Sequence, residues 1–224
     1  MRRLLVLTAV DVEARGLARH LGLAPVAGAF PRFAGGQVEI AVVGLAAAHL
    51  ATRLTAPPPS TLVVSAGACG ALAPELAVGA LVVPETVIAP DGRRFATAAI
   101  AGLPRQGALV SSERVLEDAA GKSRLWLASG DLAVDMESAT IVAWAAAHGL
   151  PAVVVRAVSD SAAHGVPADL ARVVQDVGRV RPLRAVSAVL ARPRALADAM
   201  ALRAGTAAAL KTVAATLGRL ARTA

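Results

Sequence analysis

Ala152-Val153-Val154-Val155 is a run with no polar side chain, and it leads directly into Arg156-Ala157-Val158-Ser159-Asp160. Such a run reads as a strand buried on both faces. A helix-like segment, Ser138 to Ala147, precedes it and is stopped by Gly149-Leu150-Pro151. Before that, the pentad Val134-Asp135-Met136-Glu137-Ser138 closes another short apolar run, Leu132–Val134. Strands alternating with helices specify an α/β architecture: a central mixed, twisted sheet flanked by helices. Glu137 and Asp160 then stand where the sheet hands over to loops and helices. In open α/β sheets ligands bind at that edge.

The same reading extends along the chain. Leu4-Leu5-Val6-Leu7 is a buried strand, and Asp11 to Leu21 has helical spacing. Gly35-Gly36 turns the chain into a strand at Val38–Val43, which Gly44 ends. Ala46 to Leu54 reads as a helix stopped by Pro57-Pro58-Pro59. Leu62-Val63-Val64 is a strand running into a small-residue loop, Ser65 to Ala71. Short strands are expected at Leu81–Val83, Thr86–Ile88 and Ala108–Val110, an irregular stretch from Asp91 to Gln106, and a helix from Glu113 to Ala120. His164 to Asp169 reads as a loop. Leu183–Leu190 and Ala195–Leu220 read as helices separated by Arg192-Pro193-Arg194. There is no linker and no internal repeat, so residues 1–224 are expected to form a single domain with 183–224 as a helical tail.

Composition narrows the function. With 224 residues, 56% of them hydrophobic and 17% charged, the chain is globular and has material for a sizeable core. It has no Tyr, 2 Trp and 3 Phe, so stacking platforms for single-stranded nucleic acid are nearly absent. The net charge of +7 invites an anionic partner, but the arginines are spread rather than clustered, and no nucleic-acid partner is expected. Cys69 is the one cysteine, which excludes an internal disulfide and any multi-cysteine metal site. It reads as a buried structural thiol in a reducing, cytoplasmic setting. The opening Arg2-Arg3 and Leu4–Val10 run straight into Asp11 and Glu13, which reads as a first strand rather than a signal peptide. In the tail, Leu202, Leu210, Val213, Leu217 and Leu220 share one helical face, with Arg203, Lys211, Arg219 and Arg222 opposite. That pattern suits a helix packed on the body with a wet basic face, or an interfacial helix on anionic lipid.

Glu13, Glu137 and Asp160 each follow a strand end. A buried carboxylic acid can protonate a leaving group while a second carboxylate activates water, the division of labour that cleaves a glycosidic bond. The competing reading makes Asp160 a cap and Glu13 a solvated first-turn acid. Gly67-Ala68-Cys69-Gly70 after a strand permits close approach to a phosphate or sugar, but the Lys-Ser/Thr of a P-loop is missing and there is no GxGxxG. His20, His49, His148 and His164 have no metal-site spacing, so neither metal nor organic cofactor is expected; His49 and His164 remain candidates to line a pocket. Ser159 and Ser161 lack a Gly-x-Ser-x-Gly setting, which argues against a serine hydrolase.

These segments together resemble the nucleoside phosphorylase and nucleosidase superfamily. The likeness runs from about Leu4 to Ala163 and rests on Ala9-x-x-x-Glu13, Gly67-Ala68-Cys69-Gly70, Val134-Asp135-Met136-Glu137-Ser138 and Arg156-Ala157-Val158-Ser159-Asp160. It implies a nucleoside phosphorylase-like fold. It also implies that Asp160 protonates purine N7, that Glu137 holds the ribose hydroxyls with Met136 against the sugar, and that Glu13 activates water. Ser159, Gly67, Ala68 and Gly70 would contribute to substrate binding, and Val115-Leu116 would wall the purine where relatives often place an aromatic. Purine phosphorylases of this superfamily carry a Gly-Asp-Pro-x-Arg type loop and an Arg-x-Gly-Ser loop; here the first is Ala9-Val10-Asp11-Val12-Glu13, and Ser65 and Ala68 replace the later Arg and Ser. Water is therefore the expected nucleophile, with Arg15 or Arg19 as the residues that would rescue phosphate binding. Within the superfamily the chain is most similar to the hopanoid-associated adenosylhopane nucleosidases, through the abbreviated stretch from Asp91 to Gly130, the motif Ala133 to Ser138, and a tail with Gly178-Arg179-Val180-x-x-Leu183 and Leu190-x-Arg192-Pro193. The implied substrate is an adenosine joined through its 5′ carbon to a lipid. A peripheral membrane contact and a homo-oligomer are left open.

Overall fold

The computed structural model describes residues 3–55, 57–116, 118–165 and 193–223. The expected helix at Leu183–Leu190 and the loop from residue 166 onward lie outside them. The apolar runs become strands as expected. β1 (Arg3–Thr8) lies between β4 (Val38–Val42) and β5 (Thr61–Ala71), parallel to both. β11 (Ala152–Asp160) runs parallel to β5 on its other side, in register from Ala152 opposite Val63 to Val158 opposite Cys69, with a shift that sets Asp160 opposite Gly70. The end of β5 also pairs antiparallel with β10 (Ala133–Asp135). From there the sheet continues through β9 (Ala108–Ser111) and β7 (Thr86–Ile88) to β8 (Arg94–Ala96). The hairpin β2 (Ala24–Val26) and β3 (Arg32–Gly35) extends the edge beyond β4, and β6 (Leu81–Val82) pairs with β11. The result is a mixed sheet that branches at β5.

Side chains alternate across a strand. Leu4 and Val6 of β1 and Val153 and Val155 of β11 therefore face one layer, packed against α1 (Asp11–Leu21) and the long C-terminal α5 (Pro193–Thr223). Leu5, Leu7 and Val154 face the other, where Ala139, Ile141, Val142 and Ala145 of α4 (Ser138–Ala147) pack. The tail helix lies on the body: Leu210, Val213, Leu217 and Leu220 are buried, while Arg203, Lys211, Arg219 and Arg222 are exposed. Its apolar stripe is thus used inside the fold. Among the described residues no helix is long and apolar enough to cross a membrane.

The structure corrects four expectations. Ser65 to Ala71 is not a loop but the second half of β5, because pairing with β11 and β10 outweighs the weak strand preference of Ala, Gly and Ser. Ala46 to Leu54 is not one helix: a 3-10 turn (Leu45–Ala47) and a short α2 (Leu50–Arg53) replace it, since Ala46 adopts left-handed φ of 50°. The helix expected at Glu113 to Ala120 is instead α3 (Ala119–Ser129), because the Asp118 carboxylate accepts the Gly121 N–H (2.5 Å) and caps the start there. The tail helix expected from Ala195 begins earlier, because Pro193 is the first residue of α5, a position where its missing N–H costs nothing.

α5 packs tightly against β11 at Gly205, where an added Cβ would fall 2.0 Å from the Ser159 carbonyl oxygen. Gly205→Ala must push the helix away from the strand that carries Asp160. The expected cost is about 1–3 kcal/mol of stability. Thermal unfolding followed by circular dichroism checks this; an unchanged melting temperature contradicts the close packing.

Candidate active site

The C-terminal end of β11, the end of β5, the start of α1 and the β10–α4 junction converge on one cleft. Glu13, Ala68, Gly70, Val115, Leu116, Met136, Glu137, Ser159 and Asp160 all line it. Gly67 does not; it sits behind the wall at φ 148°, where a Cβ would be 2.5 Å from Glu13 Oε1 and 2.8 Å from Arg156 Nη1. Its bare backbone is what leaves room for both side chains. Neither His49 nor His164 lines the cleft. Among the described residues no cluster of His, Cys, Asp and Glu has the arrangement of a metal site.

Glu13 stands in the first turn of α1 and is buried. Its Oε2 accepts the Ala9 N–H (3.2 Å) and its Oε1 the Ala68 N–H (2.9 Å), so two backbone donors, one just past β1 and one in β5, fix the carboxylate. Glu137 precedes α4. Its Oε1 accepts the Ala46 N–H (3.1 Å), and its Oε2 lies 3.3 Å from Arg156 Nη2. The left-handed backbone of Ala46 aims that donor, a strained conformation for a residue with a Cβ.

Arg156 is the hub that sequence reasoning did not single out beyond its motif. Its side chain is 1% exposed and contacts Asp135 Oδ2 (2.8 Å), Glu137 Oε2, Ser65 Oγ (3.1 Å) and the Ala68 carbonyl (3.2 Å). Burial opposes its charge, but the Asp135, Glu137 and Glu13 carboxylates push its pKa above the ordinary value. Asp135 is an anchor rather than a ligand group: it also accepts from Ser111 Oγ (2.6 Å) and from the backbone N–H and hydroxyl of Ser138. Burial pushes Glu137 up to about 7, helped by Asp135 and Glu13; Arg156 and the Ala46 N–H only partly oppose this.

Asp160 follows a bulge. The register passes from Val158 opposite Cys69 to Asp160 opposite Gly70, leaving Ser159 as the extra residue. Ser159 Oγ lies 2.7 Å from Asp160 Oδ1 and 3.2 Å from the Cys69 carbonyl, so it supports the acid rather than acting as a nucleophile. Asp160 Oδ2 is ion-paired with Lys122 of α3, a residue to which no sequence motif pointed. Burial drives the Cys69 thiol far above its usual range, in keeping with a structural role. Val115 and Leu116 sit in the loop before α3, beside Arg114. Arg15 is paired with Asp11 (2.7 Å) and does not line the cleft.

Residues 103–191 match the sequence profile of the Phosphorylase superfamily. The chain matches no curated protein. Solved structures share the fold over its whole length. The 5′-methylthioadenosine/S-adenosylhomocysteine nucleosidase of Neisseria meningitidis, in complex with methylthio-immucillin-A, superposes with a TM-score of 0.71 at 20% identity, covering 100% of both chains. Futalosine hydrolase of Helicobacter pylori gives 0.71 at 16%, covering 100% of this chain and 98% of that one. The 5′-methylthioadenosine nucleosidase of Arabidopsis thaliana gives 0.67 at 17%, covering 98% and 95%. The fold is therefore that of the nucleoside phosphorylases and nucleosidases. At these identities the likeness speaks for the fold alone.

A carboxyl group raised from 4.5 to about 7 by burial binds more protons folded than unfolded between those values. Stability from this group is therefore full below about 4.5 and falls as pH rises to about 7. Glu137→Gln should remove that slope, gaining on the order of a few kcal/mol relative to wild type at pH 8 compared with pH 4.5. Denaturant unfolding at both pH values tests this; parallel pH profiles would refute it.

Proposed function

We propose that the chain hydrolyses the N-glycosidic bond of a 5′-modified adenosine and releases adenine, with adenosylhopane as the substrate. The observation that carries the reaction is that Glu13, Glu137 and Asp160, from distant parts of the chain, line one cleft. Asp160 protonates N7 of the base. The C1′–N9 bond then breaks with its electron pair going to the base, leaving an oxocarbenium-like sugar. Glu13 takes a proton from the water that adds to C1′, held ready by the Ala9 and Ala68 amides. Glu137 accepts from the ribose hydroxyls, with Met136 against the sugar and Val115 and Leu116 against the base.

Water as nucleophile is supported by the buried cations of the cleft wall: Lys122 and Arg156 are committed to carboxylates, while Arg114 is an exposed residue of the wall and Arg15 is outside it. The apolar lining by Val10, Leu45, Met136 and Leu202 supports an apolar 5′ substituent. The sequence resemblance is what specifies hopane. The exposed basic face of α5 gives a protein acting on a lipid substrate an electrostatic route to anionic membrane; vesicle sedimentation that fails even at low salt removes that part. A second reading, cleavage of a small 5′-thioether nucleoside, is favoured by the likeness to the Neisseria meningitidis nucleosidase.

Adenine should be released from adenosylhopane in detergent without phosphate. A phosphate requirement assigns a phosphorylase instead, preference for methylthioadenosine assigns the second reading, and binding without product indicates a non-catalytic nucleoside or lipid binder. Asp160→Asn should lower kcat by about 10²–10⁴-fold in a folded protein. Glu13→Gln should slow turnover while sparing nucleoside binding; full activity of either variant removes the role given to that residue.

A further inference from the structure

Lys122 has no task in the reaction described so far, yet it is as deeply buried as Arg156, each with 1% side-chain exposure. It sits in the first turns of α3, and its Nζ donates to Asp160 Oδ2, to the Ser161 carbonyl (2.9 Å) and to the His164 carbonyl (2.8 Å). Those acceptors use all the protons of an ammonium group. Asp160 Oδ1 meanwhile has the Ser159 hydroxyl at 2.7 Å. A carboxylate paired with an ammonium has no proton of its own to give a leaving base. To act as the acid, Asp160 must first take up a proton. Cys69 is shut away as a neutral thiol by burial, and the His164 ring is turned to Ser161 Oγ (2.9 Å). Lys122 is the neighbour in contact.

We propose that Lys122 is the proton reservoir of the site, passing a proton from Nζ to Asp160 as Asp160 protonates the departing base. This rests on the nucleosidase reading above. As the C1′–N9 bond breaks, the Asp160 carboxylate takes a proton from Lys122 and passes it to N7, which leaves Lys122 a neutral amine and Asp160 again a carboxylate. The pair thereby changes from net neutral to net negative while the sugar becomes positive, so the transfer sets opposite charges in one cleft at the moment of bond cleavage. Glu13 holds the proton lost by water. After adenine leaves, Glu13 releases its proton to solvent and Lys122 takes one up, which restores the resting pair. Lys122 acts through Asp160 and is a positioning residue.

Adenine release from adenosylhopane is measured for wild type, Lys122→Met, Lys122→Arg, Asp160→Asn and the Lys122→Met/Asp160→Asn double variant. Lys122→Met should lower kcat at least about 100-fold with little change in KM. Lys122→Arg keeps the charge and the donors but does not give up its proton, so it should stay slow. The double variant, in which both partners are neutral, should be no slower than Asp160→Asn; this comparison stands even where Lys122→Met alone does not fold. Recovery of near wild-type turnover by Lys122→Arg overturns the reservoir in favour of a role for charge alone, and so does a further loss in the double variant. Wild-type protein that releases adenine from neither adenosylhopane nor methylthioadenosine overturns the nucleosidase reading and this role together, whereas an active wild type with an active Lys122→Arg overturns this role alone.

Discussion

A guanidinium without access to water holds the cleft together. Arg156 brings Asp135, Glu137, Ser65 and the Ala68 carbonyl to one point, and so joins β11 to β5, β10 and the start of α4. Carboxylates this deep are costly unless matched by a cation, and an ion left without its partner costs about 3–5 kcal/mol. The acids and Arg156 are therefore mutually dependent. Gly67 is part of the same bargain, since any side chain there would occupy the space that Arg156 and Glu13 share.

Asp160 and Glu137 differ in how they are held, and the difference follows from their strands. Glu137 shares its cation with Asp135 and takes up the strained Ala46 amide, so burial dominates and its acid form is favoured. Asp160 has the Lys122 ammonium as its own ion-pair partner. Glu13 relies on backbone amides. Carboxylates that look alike in sequence thus meet three environments, which is the physical basis for giving them three tasks.

Much of the layout was legible in the sequence because buried strands leave a signature in their own residues. Leu4–Leu7 and Ala152–Val155 are apolar at every position, and both are central strands. Ser65 to Ala71 misled for the opposite reason: its small residues carry no strand signal, and its conformation is imposed by neighbours on both sides. The cleft acids could be read from their motifs, but their partners could not. Lys122 is one lysine in an unremarkable helix until α3 is laid against β11, and Arg156 is one residue of a motif until Gly67 is seen to make room for it. Such pairings are properties of the assembled fold. The tail pattern, by contrast, was local, and Leu210, Val213, Leu217 and Leu220 are buried along the face their spacing defined.

β5 has a consequence for how the molecule comes to be. Its partners on either side are β1, from the start of the chain, and β11, from well beyond its middle. Sheet pairing between such remote segments must close long loops before it gains any contact, so assembly is expected to be slow. Until Ala152–Asp160 is in place, β5 presents a bare edge of apolar and small residues to any other chain nearby. The strand that delivers Asp160 is thus also the one that covers this edge of β5.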